Sequence, residues 1–80
     1  MRIELSNISK SFLKKCQRED AIRILDKIES LALNPYDSSG QKLKGENSFK
    51  IRVGKHRIIY EIYEGVLLIT EIGKRQNIYK

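Results

Sequence analysis

Lys50, Arg52 and Arg57 flank the dipeptide Gly54-Lys55, and apolar residues alternate with them: Phe49, Ile51 and Val53 before it, Ile58, Tyr60 and Ile62 after it. Such alternation is the period of a half-buried strand. Gly54-Lys55 stands where a two-residue hairpin loop is needed, with Gly first as in a type II′ turn. That loop sets a register in which Val53 faces His56, Arg52 faces Arg57, Ile51 faces Ile58, Lys50 faces Ile59 and Phe49 faces Tyr60. The three cations then share one sheet face, where two directly opposed arginines repel. One reading is a phosphate site, because guanidinium and ammonium donors on rigid strands clamp an anion and favour charge developing in a transition state. The other is a solvated outer face on which Glu61 or another acid relieves the repulsion. A sheet built for stability alone would not oppose two arginines, which favours the phosphate site.

Other chemistry is sparse. His56 is the single His, beside a turn, and as a surface residue it carries less weight than its chemistry suggests. Cys16 has no partner for an internal disulfide, and one Cys with one His cannot fill an ordinary structural zinc site, so Cys16 reads as a packed small hydrophobe. No phosphate-cradling Gly loop, Ser-His-Asp series or paired carboxylates at helical spacing occur.

The 80 residues carry 16 Lys and Arg against 10 Asp and Glu, a net charge of +6. With 40% hydrophobic and 32% charged residues they suit one small domain, 1–80, with a single modest core. Residues 1–40 hold seven basic and six acidic groups, whereas 41–80 hold nine and four. A one-sided basic half is the footprint of a domain that meets a polyanion, or else a solvated surface. No run approaches the roughly 18 apolar residues of a membrane span, and Met1–Leu5 lacks the apolar segment of a signal peptide; a soluble, cytoplasmic protein without membrane contact is expected.

The elements around the cluster follow from period and punctuation. Arg2 to Leu5 alternates as a short strand. Ser6 or Asn7 caps a helix running to about Cys16, with Ile8, Phe12, Leu13 and Cys16 inward. A second helix from about Glu19 to Leu33 turns Ala21, Leu25, Ile28 and Ala32 inward, widened by Ile22, Ile24 and Leu31, and stops at Asn34-Pro35. Tyr36 to Gln41 reads as a loop. Glu64-Gly65 makes a second tight hairpin, read as type I′, and leads into a strand from Val66 to Ile72. The fold class is α+β: a short N-terminal strand, two helices packed on one face of an antiparallel sheet, and a C-terminal three-strand meander. Its inner face carries Phe49, Ile51, Val53, Ile58, Tyr60, Ile62, Leu67 and Ile69, and Ile59, Leu68 and Ile72 lie on the basic side.

Lys42-Leu43-Lys44-Gly45, the run Phe49 to Tyr60, Ile72-Gly73-Lys74-Arg75 and Ile78-Tyr79, in that order, resemble the RelE branch of the RelE/ParE toxin superfamily. The resemblance implies a microbial-ribonuclease-like fold and the toxin of a type II toxin–antitoxin pair. It further implies an endoribonuclease that cuts messenger RNA in the ribosomal A site without a metal or cofactor, with a cognate antitoxin, the ribosome and mRNA as partners. Carried over by position, the catalytic basic pair falls on Lys50 and Arg52, the strand arginine on Arg57, the arginine after the last strand on Arg75 and the C-terminal tyrosine on Tyr79. Lys42, Lys44, Lys55 and Lys74 join them as RNA-binding positions. Relatives have lysine at Arg52, whose guanidinium stays charged, so proton abstraction falls to Lys50 or Tyr79. The terminal helix of longer relatives is expected to be missing or reduced, with Tyr79 on a mobile tail. The resemblance leaves two alternatives, a ParE-like toxin that inhibits DNA gyrase without catalysis and a module that only binds RNA.

Overall fold

The computed structural model describes residues 1–37, 40–43 and 47–74. The elements are β1 (Arg2–Leu5), α1 (Asn7–Lys15), α2 (Arg18–Leu33), β2 (Gln41–Lys42), β3 (Ser48–Val53), β4 (His56–Tyr63) and β5 (Val66–Lys74). The strands form one sheet in the order β1-β5-β4-β3-β2. The meander has the expected register, Arg52 opposite Arg57 and Lys50 opposite Ile59. β1 runs parallel to β5, so the sheet is mixed and not wholly antiparallel, and β2 is a two-residue edge strand in a stretch that includes the end of the expected loop. The helical hairpin thus carries the chain from one sheet edge to the other across one face, against which Ile24, Ile28 and Leu31 of α2 bury with Ile51, Ile58, Tyr60, Ile62, Leu67, Ile69 and Ile72.

The helices turn in part of the expected faces, with Phe12 and Leu13 of α1 and Ile24, Ile28, Leu31 and Ala32 of α2 at the core, and each leaves some expected residues outside. On α2 the inward stripe is Ile24, Ile28 and Leu31, while Ile22 and Leu25 are exposed. This helix has more apolar residues than one stripe holds, so its own period leaves the rotation open and docking against the sheet selects it. On α1 the fully buried residue is Ser9, and Ile8 is 65% exposed.

Ser9 is buried for a reason that lies in β5. The β4–β5 register slips between Ile59 and Tyr60: Tyr60 pairs with Ile69 and Ile59 with Glu71, leaving Thr70 as the extra residue of a bulge. The Ser9 hydroxyl donates to the Ile69 carbonyl at 3.0 Å and the Ser6 hydroxyl to the Thr70 carbonyl at 2.8 Å, while Thr70 Oγ1 donates to the Ile59 carbonyl. Ser6 also caps α1, accepting from the Ser9 amide at 3.1 Å. Two serines of one capping turn therefore satisfy the carbonyls around the bulge, which buried backbone requires. Past the bulge the alternation of faces reverses. Ile72, expected on the basic side, is buried in the core, and Glu71 moves to the outer face.

The turns also differ. Gly54 has φ +61°, as a type II′ loop requires. Gly65 has φ +71°, but among the described residues no non-Gly residue has positive φ, so Glu64-Gly65 is not the expected type I′ turn. Among the described residues no helix is long and apolar enough to cross a membrane.

Candidate functional site

Lys50 and Arg52 on β3 and Arg57 on β4 come together on the face of the sheet away from the helices, because each alternates with a core residue. Arg52 is exposed and Lys50 half-buried; with Gln41, which β2 sets opposite Lys50, they line an open hollow of about 270 Å³. Arg57 is held differently. Its side chain is 12% exposed, Nη2 lies 3.5 Å from Glu71 Oε2, and Nε is buried with no hydrogen-bond partner. Gly73 stands opposite Arg57, and a Cβ built there would meet no atom within 4 Å, so the surface beside the arginine is open. A planar donor fork held against the sheet, flanked by an exposed guanidinium and an ammonium, suits an anion with several acceptor oxygens.

Glu71, which only the bulge brings outward, is the counter-charge of the opposed arginines. Glu61 is engaged elsewhere, accepting from Ser48 Oγ at 3.4 Å and from the Tyr63 hydroxyl at 2.6 Å. That bond is the main cause that raises the Tyr63 phenol above its ordinary pKa, with desolvation and the Glu61 charge adding to it. Sequence reasoning missed Glu71 because strand parity counted through Ile72 turns it inward; no local signal marks the bulge.

The remaining expected positions scatter. Lys42 pairs with Phe49 and so takes the register of the helix-side face, apart from Lys50. Lys55 in the β3–β4 turn and Lys74 at the end of β5 line a separate cavity with His56. Lys44, Arg75 and Tyr79 lie outside the described residues. His56 is not a surface residue: it is 7% exposed, and its ring meets Phe12 edge-on at 5.5 Å.

Among known proteins, the model of the ParE toxin of the type II toxin–antitoxin system parDE matches residues 3–79. No curated protein sequence matches the chain. The toxin fold of the archaeal RelE–RelB complex from Pyrococcus horikoshii OT3 superimposes with a TM-score of 0.84 at 21% identity, over 92% of this chain and 93% of that one. The isolated E. coli RelE toxin gives 0.80 at 16% identity, over 98% and 89%. The YoeB/ParE toxin from Agrobacterium tumefaciens gives 0.78 at 19% identity, over 94% and 99%. At these identities the likeness is one of fold. With the family match running through nearly the whole chain and the fold shared with RelE toxins, this chain belongs to the ParE toxin family of type II toxin–antitoxin systems, within the RelE/ParE superfamily.

Proposed function

We propose that this toxin is an endoribonuclease that cleaves messenger RNA in the ribosomal A site and so stops translation. The observation that supports it is the convergence of Lys50, Arg52 and Arg57 on adjacent strands, with Arg57 pinned to the sheet. In this reaction the 2′-oxygen of one nucleotide attacks the neighbouring phosphorus and the 5′-oxygen leaves, giving a 2′,3′-cyclic phosphate and a 5′-hydroxyl. Lys50, Arg52 and Arg57 hold the phosphate, Tyr79 or Lys50 takes the 2′-proton, and Arg75 stabilises or protonates the departing oxygen. Positioning and charge stabilisation carry the rate, and the reading needs neither metal nor cofactor. A base of this type needs a lowered pKa, which neighbouring cations supply. The partners are the ribosome, mRNA and a cognate antitoxin, whose bound chain lies over the basic face or against the helices and masks the arginines. RelE toxins of the same fold are seen bound to their antitoxins in four of the matching complexes.

The second reading is a non-catalytic inhibitor of DNA gyrase, which the family match to ParE favours. Incubating the purified toxin with programmed ribosomes and, separately, with gyrase and supercoiled DNA decides between them. Cleaved mRNA with a 5′-hydroxyl end and untouched gyrase is the expected result. Gyrase inhibition with intact mRNA overturns the nuclease reading.

A further inference from the structure

On the helix side of the molecule, the junction of α1 and α2 and the end of the β3–β4 hairpin enclose a cavity of about 550 Å³. Phe12, Cys16 and His56 form its apolar part. The His56 ring touches Phe12 and makes no hydrogen bond among the described residues, although it is 93% buried by its 7% exposure. Three ammonium groups, Lys15, Lys55 and Lys74, ring the opening against one carboxylate, Asp20. The start of α2 also borders it at Gln17, which supplies no side-chain cap, so the first-turn amides add to the positive potential that Glu19 and Asp20 reduce. Cys16 does not compete as an anion: burial, and after it the Asp20 charge, raises its thiol pKa.

We propose that this cavity is a binding site for a mononucleotide, its phosphate on Lys15, Lys55 and Lys74 and its base against Phe12 with a polar edge on His56. The surplus of two positive charges, three lysines less one aspartate, matches a phosphate monoester better than a carboxylate. The volume exceeds what a bare ion fills and lies in the range of small organic ligands, about 300–1,000 Å³. The aromatic wall and the unbonded imidazole give the rest of the ligand a stacking surface and a hydrogen-bond partner. A free nucleotide and the phosphorylated end of an RNA share this chemistry.

Titration of the full-length protein with AMP, adenosine and inorganic phosphate, followed by NMR at the His56 and Phe12 rings, tests the site without reference to RNA cleavage or gyrase. AMP should shift both rings saturably and bind at least about tenfold tighter than adenosine or phosphate, since only AMP uses both halves of the cavity. Lys15→Ala, an exposed change, should weaken AMP severalfold and leave the melting temperature unchanged. A 5′-phosphorylated trinucleotide that binds as tightly as AMP assigns the pocket to an RNA end, and binding of AMP alone assigns it to a free nucleotide. No saturable shift at either ring below about 10 mM AMP, equal binding of phosphate and AMP, or displacement of AMP only by an acidic peptide that itself shifts both rings overturns the proposal.

Discussion

Arg57 and Glu71 form the pair that makes two opposed arginines tolerable, and their geometry is loose: 3.5 Å between Nη2 and Oε2, with half of the Glu71 side chain in water. Such a pair contributes little stability, in the range of about 0–1 kcal/mol, but it neutralises part of the charge that RNA would meet. Glu71→Gln should therefore leave the melting temperature nearly unchanged, tighten binding of a single-stranded RNA and steepen its salt dependence by up to about one unit of slope; fluorescence polarisation across a salt series measures it. The division of labour among the cations is separable as well. Arg52→Ala should lose affinity and rate together, with a shallower salt slope, whereas Arg75→Ala should slow single-turnover cleavage on the ribosome by about a hundredfold or more with little loss of binding. Tyr79→Phe removes only a hydroxyl, so a large rate loss identifies Tyr79 as the base, and a harmless Tyr79→Phe beside an inactive Lys50→Ala identifies Lys50. Tyr60 offers a test of stability. Its hydroxyl is buried without a hydrogen-bond partner, and a Cβ added at Gly40 would collide with it. Gly40→Ala should destabilise by about 1–3 kcal/mol, and Tyr60→Phe should be near neutral alone and recover part of the loss in the double variant. Burial, then the Asp37 charge, raises the Tyr60 phenol pKa. The fold thus holds this proton to higher pH than the unfolded chain, so stability is full below the ordinary phenol pKa of about 10 and declines as pH rises past it. Urea melts between about pH 9 and 11 should show that decline, reduced in Tyr60→Phe.

Among the elements, the bulge in β5 and the capping turn of α1 act as one device. Ser6 and Ser9 reach the Thr70 and Ile69 carbonyls across 64 and 60 residues of chain, so the helix start and the strand irregularity specify each other. Ser9→Ala removes a fully buried donor and leaves the Ile69 carbonyl to the Ser6 amide; the expected cost is about 1–3 kcal/mol by urea denaturation. Deleting Thr70 takes out the extra residue, so that Ile69 and Glu71 follow one another in a regular ladder with Glu71 still outward and Ile72 still in the core; the expected result is a protein that folds by circular dichroism but melts lower, because the Ser6 and Thr70 hydroxyl bonds at the bulge are lost. The rotation of α2 leaves Ile22, Leu25 and Leu33 exposed along the helix, apolar surface that an amphipathic partner segment could cover, while the opposite sheet face offers it charge.

For the molecule as a whole, the cluster of Lys50, Arg52 and Arg57 and the exposed apolar residues of the helices, Ile8, Ile22, Leu25 and Leu33, lie on different sides. An antitoxin that masks the arginines should bind more weakly as salt is added, and a complex that leaves Lys50, Arg52 and Arg57 all open to solvent would count against that mode. Much of this arrangement was legible in the chain. The β3–β4 register follows from Gly54 and from period-two alternation, both local, and with it comes the meeting of Lys50, Arg52 and Arg57. Both helices follow from the Ser6 cap, the apolar spacing and Asn34-Pro35, also local. What the chain could not disclose rests on contacts between distant segments. The inward face of α2 depends on what it packs against, and a surplus of apolar residues makes several faces acceptable. The parallel pairing of β1 with β5 joins the two ends of the fold. Lys42 and Gln41 exchange the roles their charges suggest because a two-residue edge strand pairs with β3 in one register only. His56 is buried because Phe12, forty-four residues earlier, closes over it. The bulge needs carbonyl partners supplied by Ser6 and Ser9, and only when those meet does Glu71 stand beside Arg57 and Ile72 enter the core. Local period and turn chemistry act over a few residues, whereas the parity of a strand beyond a bulge is decided by whichever distant donors satisfy its backbone.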